Sequence, residues 1–332
     1  MVELFEMNYY ADEQHLPVLK DEIDRVITRN LAVIRKGWEN GYHIQFLGMM
    51  TQEQAAELYQ ELEQVQKLHP SPVYDADEFR EKYGRVEKAS NKKDCLKQIY
   101  QNEIRINRRN DLFIFENDAQ LELYLDLHHI FDLFFKDRYF SQNRIMDIIL
   151  FIYPFVNFLP EKVLNPAANL ISNGYISHLS HYIGLLNSLS STDQIKIKKR
   201  FKEKYLRDVE HFHLERGAKQ PDSAFLNHLI NMYHRISNQV DDEKLNFFSP
   251  RQFDRDIEPQ MHRYSDRHVQ VFGSEENLKM VLKDKVLCTN KWVLNVLYEK
   301  LVLMNVKPID KFYMNYFLSC LKFNDPILEV AE

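Results

Sequence analysis

Glycine is scarce in this chain, with 8 among 332 residues. No GxGxxG and no Walker-type run occurs, so the phosphate-cradling loops of nucleotide enzymes are excluded. Cysteine is scarcer still: Cys95, Cys288 and Cys320 lie far apart and without CxxC spacing. That pattern suits a reducing cytoplasm and gives no zinc site. Positive charge is in deficit, at a net charge of −6. A nucleic-acid binder whose affinity rests on a basic face is therefore disfavoured. Long hydrophobic runs are also missing. The most apolar stretch, Ile148 to Phe158, is too short to cross a bilayer and contains Pro154, which marks it as core. The opening residues, MVELFEMNYYADEQ, carry acids where a signal peptide needs bases. These absences together predict a cytoplasmic protein with no membrane and no nucleic-acid partner. No GxSxG, HExxH or kinase signature is present.

What remains is a soluble composition rich in aromatics, which make up 13% of the chain. Val2 to Tyr10 alternates as a strand does, and Ala11 to Asn30 has a helical apolar stripe through Leu16, Leu19, Ile23, Val26 and Ile27. Two β-prone runs, Leu31 to Lys36 and Tyr42 to Met49, flank the hairpin loop GWENG. Thr51 and Gln54 form a capping box before a helix striped by Ala55, Leu58, Leu62 and Val65. A polar segment, 69–93, reads as mobile, and Gln101 to Asn107 alternates again. The order is β-α-β-β-α-β, which predicts an α+β protein with a ferredoxin-like front part. From Asn117 onward the periods are helical, apart from a charged, loop-like stretch between Asp241 and Gly273 that holds Arg251, Arg255, Arg263 and Arg267. The expected division is therefore an α+β part over 1–110 and a large helical part over 111–332, packed as one catalytic unit.

Proton-transfer chemistry concentrates in NGYISHLSHY, Asn173 to Tyr182. Ser177 and His181 share one helix face, and His178 and Tyr182 share another. Such pairs can relay protons, or can be satisfied polar residues lining a helix–helix contact. The HxH of EHFHLER, Glu210 to Arg216, fits no metal motif and reads as a solvated helix end. His128 and His129 are adjacent and so cannot be an i,i+4 ligand pair; Asp126, Asp132 and Asp137 read as solvated helix residues. Glu103 stands among Arg105, Arg108 and Arg109 at the fourth strand. It can be an active-site carboxylate or an edge-strand charge set against aggregation.

Two blocks carry a resemblance. In NLAVIRKGWENGYHIQFLG, Ile34, Arg35, Gly41, His43 and Ile44 fit the pattern F-I-R-[HY]-W…G-P-H-[IL]-R-[IL]-R, and in GYISHLSHYIGLL, Tyr175, Ser177, Ser180 and His181 fit Y-L-S-x-x-S-H. In this order and spacing, over about residues 1 to 210, the chain resembles the thiopeptide-type bacteriocin biosynthesis family. The resemblance implies one of two reactions on a modified, leader-bearing precursor peptide. Lanthipeptide-type dehydratases eliminate glutamate from glutamylated Ser or Thr. Stand-alone pyridine synthases join two dehydroalanines by a formal [4+2] cycloaddition, closing a macrocycle and expelling water and the leader. Two strand arginines of the family pattern, suited to a glutamyl carboxylate, fall at Gln45 and Leu47 here. Losing both would cost an eliminase about 2–5 kcal/mol of carboxylate binding, whereas a pyridine synthase has no glutamyl group to hold. The departure favours the pyridine synthase.

On that resemblance Tyr182, His181 and Ser177 are the expected acid–base groups, with Ser180 and Glu103 beside them. Tyr175, His178, Arg35, His43 and Gln45 are expected to bind substrate. Lys92, Lys93, Arg105, Arg108 and Arg109 are expected to meet the leader. No metal and no organic cofactor are implied; the dehydratase and azole-forming enzymes of the same pathway are the implied partners. A peptide-binding scaffold without catalysis is the other class that fits.

Overall fold

The structure is a computed structural model that describes residues 2–90, 94–109, 115–157, 159–164, 173–217, 223–247, 279–280 and 282–323. Within them the chain divides into two compact units. The first comprises Met1–Phe113, His128–Ser141 and Val302–Met304, and the second comprises Ile114–Leu127, Gln142–Leu301 and Asn305–Glu332.

The first unit is built on four strands: β1 (Val2–Tyr10), β2 (Val33–Gly37), β3 (His43–Thr51) and β4 (Glu103–Arg109). They lie in the order β2-β3-β1-β4, with every neighbouring pair antiparallel. Helix α1 (Lys20–Thr28) joins β1 to β2, and α2 (Gln52–Leu68) follows β3. The capping box at the start of α2 forms as the sequence predicts: the Gln54 amide N–H donates to Thr51 Oγ1 at 3.2 Å, and the Thr51 N–H donates to Gln54 Oε1 at 2.9 Å. Ala55, Leu58 and Leu62 of α2, with Ile23, Val26 and Ile27 of α1, are the buried faces of these helices. Met7, Ile34, Ile44 and Phe46 fill the sheet side of this core, all without exposed surface. The mixture of sheet and helix is α+β, as expected.

Two features depart from the sequence reading. The segment 69–93, read as mobile, contains helix α3 (Ala76–Ser90). An aromatic cluster holds it: Phe79 meets Tyr42 edge-on at 4.7 Å, and Tyr83 stacks on Trp38 at 5.2 Å. The polar sequence hid these two ring anchors. Asp132, read as solvated, has no exposed surface. It lies on α4 (Asp118–Phe135), where its carboxylate accepts the Ile34 N–H of β2 at 3.2 Å and the hydroxyl of Tyr139. The aspartate thus accepts from the backbone of β2, an edge strand of the sheet.

Residues 118–127 of α4 fall in the second unit and residues 128–135 in the first. Among the described residues the second unit is otherwise formed by α5 (Ile145–Asn157), α6 (Leu159–Leu164), α7 (Asn173–Asn187), α8 (Ser191–Glu215), α9 (Ser223–Asp241), α10 (Lys285–Leu303) and α11 (Pro308–Phe323). The apolar run around Pro154 forms α5, with Ile149, Leu150, Ile152 and Phe155 fully enclosed. Near its C-terminus the Phe155 carbonyl accepts the Tyr233 hydroxyl of α9 at 2.9 Å. Helix α7 packs most heavily along α11. No described helix is long and apolar enough to cross a membrane. The arginines between residues 251 and 267 lie outside the described residues.

Gly48 of β3 marks the tightest approach in the first unit. A Cβ there would stand 2.3 Å from the Leu31 carbonyl oxygen and 2.9 Å from Ala32 Cα, both backbone atoms that have no rotamer to escape into. Gly48→Ala is expected to destabilise the fold by about 1–3 kcal/mol, the usual cost of overpacking. Urea unfolding of the variant would measure this, and an unchanged midpoint would count against the close approach.

Candidate functional site

The pairing register brings several of the expected binding residues onto one face of the sheet. Arg35, Gln45, Asn8 and Arg105 form one row across all four strands, and Gly37, His43, Tyr10 and Glu103 form the next. Directly opposed residues project to the same side, so both rows share a face. The Arg35 guanidinium donates to Gln45 Oε1 at 3.0 Å. Gln45 therefore serves as an acceptor for its cross-strand neighbour Arg35. Glu6, two residues before Asn8, accepts from Asn8 Nδ2 at 2.9 Å and from Arg109 at 2.6 Å. Glu6, Asn8, His43 and Gln45 are all buried.

His43 is positioned by its own loop. Its Nδ1 lies 2.9 Å from the Gly41 carbonyl, an acceptor, so Nδ1 carries the proton. Nε2 then faces β2 at Gly37, where a Cβ would come within 2.3 Å of it. Burial pushes the imidazole below its ordinary pKa and keeps it neutral. The Tyr10 ring packs on it with centroids 4.9 Å apart.

The basic residues expected to meet a leader are internally paired where they are described. Arg108 pairs with Glu3 and Arg109 with Glu6, both acids of β1. Arg105 lies 3.5 Å from Glu103 and 4.0 Å from the centre of the Tyr100 ring. Glu103 is exposed on β4, an edge strand. Lys92 and Lys93 lie outside the described residues.

In the second unit α7 sorts its polar residues by face. Ser177, Ser180 and His181 are half-buried, whereas His178 and Tyr182 have no exposed surface. Tyr175 lies in the first turns of α7, but its side chain is outside the described set. The Tyr182 ring packs 4.9 Å from Tyr316 of α11 and 6.0 Å from Phe201 of α8. His178 Nδ1 is 2.7 Å from Asn315 Oδ1 of α11, and the same oxygen accepts the Tyr298 hydroxyl of α10 at 2.8 Å. One amide oxygen thus ties three helices together. It also fixes the tautomer: Nδ1 carries the proton and Nε2 keeps its lone pair. Both His178 Nε2 and Asn315 Nδ2 are enclosed without a hydrogen-bond partner.

The Tyr298 ring links this buried group to the half-buried face of α7. His181 meets it edge-on, with centroids 4.9 Å apart and planes at 89°. Lys311 of α11 places Nζ 5.0 Å from the same ring centre and 5.0 Å from that of Phe312. Burial holds the Tyr298 phenol above its usual pKa and the Lys311 ammonium below its own. Sequence reading singled out α7 but missed Tyr298, Lys311 and Asn315. They come from helices more than a hundred residues away, and i,i+4 spacing speaks only of neighbours on one helix.

The buried imidazole of His178 gives a sign-definite pH dependence. Burial lowers its pKa from 6.5 to about 4, the Asn315 contact offsetting part of the shift. Between those values the unfolded chain binds a proton that the folded one refuses, so stability falls as pH falls through that window. The gap corresponds to about 3 kcal/mol. His178→Gln is expected to remove this share of the acid sensitivity while His43 keeps its own. Chemical denaturation in neutral and in mildly acidic buffer reads the difference, and parallel profiles for both proteins would contradict it.

No protein-family model matches the chain, and no curated protein sequence matches it. Solved structures do share its fold. The pyridine synthase TbtD from thiomuracin biosynthesis superposes with a TM-score of 0.64 at 14% identity, over 99% of this chain and 100% of that one. The crystal structure of TsrL superposes with a TM-score of 0.64 at 10% identity, over 98% of this chain and 96% of that one.

Proposed function

We propose that the protein is a thiopeptide maturation enzyme that forms a pyridine-type ring from two dehydroalanines of an azole-containing precursor peptide. The observation that carries this reading is the end-to-end likeness of fold to a pyridine synthase. We read the four-stranded unit as ferredoxin-like, supported by the β2-β3-β1-β4 order, its antiparallel pairing and the placement of α1 and α2 between strands. The substrate is a modified peptide with its leader attached, supplied by dehydratase and azole-forming enzymes, and the work is cytoplasmic.

The chemistry asks for a proton inventory and for positioning. The amide preceding one dehydroalanine gives up its N–H proton and gains one on oxygen, becoming a 2-azadiene. Its two termini then form carbon–carbon bonds to the second dehydroalanine. Loss of water and of the leader as a carboxamide leaves the aromatic ring without an oxidant. Holding distant alkenes of a flexible peptide together contributes as much as about 7–11 kcal/mol. We assign the proton transfers to the half-buried face of α7, with His181 as base and Ser177 and Ser180 as hydrogen-bonding groups. Tyr182, enclosed between α8 and α11, acts from behind by fixing the helix. On the sheet we assign peptide contact to Arg35, which the buried Gln45 orients, with the buried His43 fixing the neighbouring loop and Glu103 exposed on the edge strand. An acidic leader would compete with Glu3 and Glu6 for Arg108 and Arg109.

Mass spectrometry of the protein with a leader-bearing, azole-containing peptide that holds two dehydroalanines tests the reading. The expected product is lighter by leader amide and water. Loss of glutamate from a glutamylated counterpart would instead establish an eliminase, and tight binding with no product from either peptide would establish a scaffold. In the same assay His181→Ala is expected to lower turnover by about 10²–10⁴-fold with peptide binding preserved, the range for a general acid–base group.

A further inference from the structure

Lys311 stands out in the helical unit because, among the described residues, no carboxylate balances its charge. Its side chain is half-buried, and among the described residues no carboxylate lies within ion-pair distance of it. Its neighbours are the faces of two rings, Tyr298 and Phe312. Ring faces attract a cation but satisfy none of its three N–H donors. Most charged side chains that lose this much water are paired, because an uncompensated ion in a poorly hydrated setting is costly. Here the pairing is missing while the desolvation is present: burial lowers the ammonium pKa, with no charge partner opposing it. Perturbed, unpaired groups of this kind gather where chemistry is done.

The surroundings narrow what the ammonium can meet. Tyr298 spends its one hydroxyl proton on Asn315 Oδ1 at 2.8 Å, so it has none to give a ligand. Asn315 is one helical turn from Lys311 on α11, so the same helix that carries the cation also pins the ring beneath it. His181 meets the same ring edge-on, 4.9 Å between centroids. A cation and an imidazole therefore both stand against one immobilised ring. That pairing is complementary to a peptide amide, whose oxygen accepts and whose N–H donates.

We propose that Lys311 is a catalytic residue that binds the carbonyl oxygen of the reacting amide and protonates it. The assignment rests on the pyridine-forming reading above. As the amide tautomerises, a Lys311 N–H bond breaks and an O–H bond forms, the electron pair staying on the amine. The amide N–H proton passes to the His181 imidazole, and the nitrogen pair becomes the C=N bond. One proton has entered and one has left the substrate, so the exchange needs no further reactant. Solvent returns the proton from His181 to Lys311.

Two measurements test the proposal. In the mass-spectrometric assay, Lys311→Met is expected to lower ring formation by about 10²–10³-fold, the range for loss of a preorganised donor at a developing charge. Lys311→Arg is expected to lower it comparably, because arginine keeps the charge but does not release its proton. Peptide binding by fluorescence anisotropy is expected to change less than about twofold, since the contact matters most in the transition state. Full turnover in Lys311→Met, beside an active wild type, would overturn the role of Lys311 and leave the pyridine reading intact. Full turnover in Lys311→Arg would likewise remove the proton transfer. The second measurement needs no turnover. Reductive ¹³C-dimethylation labels the lysines, and the Lys311 signal is the one absent from Lys311→Met. Its shift should move when the leader-bearing peptide with alanines in place of both dehydroalanines is added. A signal unmoved by saturating peptide would overturn the proposal. A wild type that makes no ring but shows the shift would overturn the reaction assigned above, and with it the proton transfer.

Discussion

A single amide oxygen organises the helical unit. Asn315 Oδ1 takes one bond from His178 and one from Tyr298, and so joins α7, α10 and α11 at a point with no exposed surface. Bonds of this kind contribute modestly when made but leave stranded polar atoms when broken. The arrangement therefore behaves as a constraint more than as a source of stability. It sets the tautomer of His178, the tilt of the Tyr298 ring and, through that ring, the relation between His181 and Lys311. The aromatic packing of Tyr182, Phe201 and Tyr316 sits behind the same helices and limits how far they can shift.

The sheet unit solves a different problem. One of its faces is apolar and packed, and the other carries charged and amide side chains that are nonetheless buried. Cross-strand neighbours satisfy one another there: Arg35 with Gln45, Asn8 with Glu6, and Glu6 with Arg109. A polar face of this sort holds its register firmly, because a slip by one residue would turn these groups into the core.

Much of the sheet unit was legible in the sequence because its signals are local. The capping box at Thr51 and Gln54, the GWENG loop and the apolar stripes of α1 and α2 each lie within a few residues of one another. Helix α3 escaped because Phe79 and Tyr83 are isolated rings in a polar stretch, and their partners, Tyr42 and Trp38, lie some forty residues earlier. Asp132 escaped for the same reason: its acceptor role is defined by Ile34, far back on β2. The candidate site was half visible. The crowding of Ser177, His178, His181 and Tyr182 drew attention to α7, whose polar residues divide between a half-buried and an enclosed face. Which of them are enclosed, and that Tyr298, Asn315 and Lys311 complete the group, depends on how α10 and α11 pack, and no local pattern encodes that.

The division of the chain has a consequence for its synthesis. The strand-bearing unit draws on residues 302–304, and the Phe140 N–H donates to the Leu303 carbonyl at 2.8 Å. A ribosome that has finished the four strands must still add most of the helical unit before that last piece exists. At ordinary elongation rates of about 5–20 residues per second, the wait is on the order of ten seconds or more. The nascent sheet therefore spends that interval incomplete at the Phe140 position, and its edges are guarded meanwhile by what is already made. On β4 those guards are Arg108 and Arg109, paired with Glu3 and Glu6 of β1.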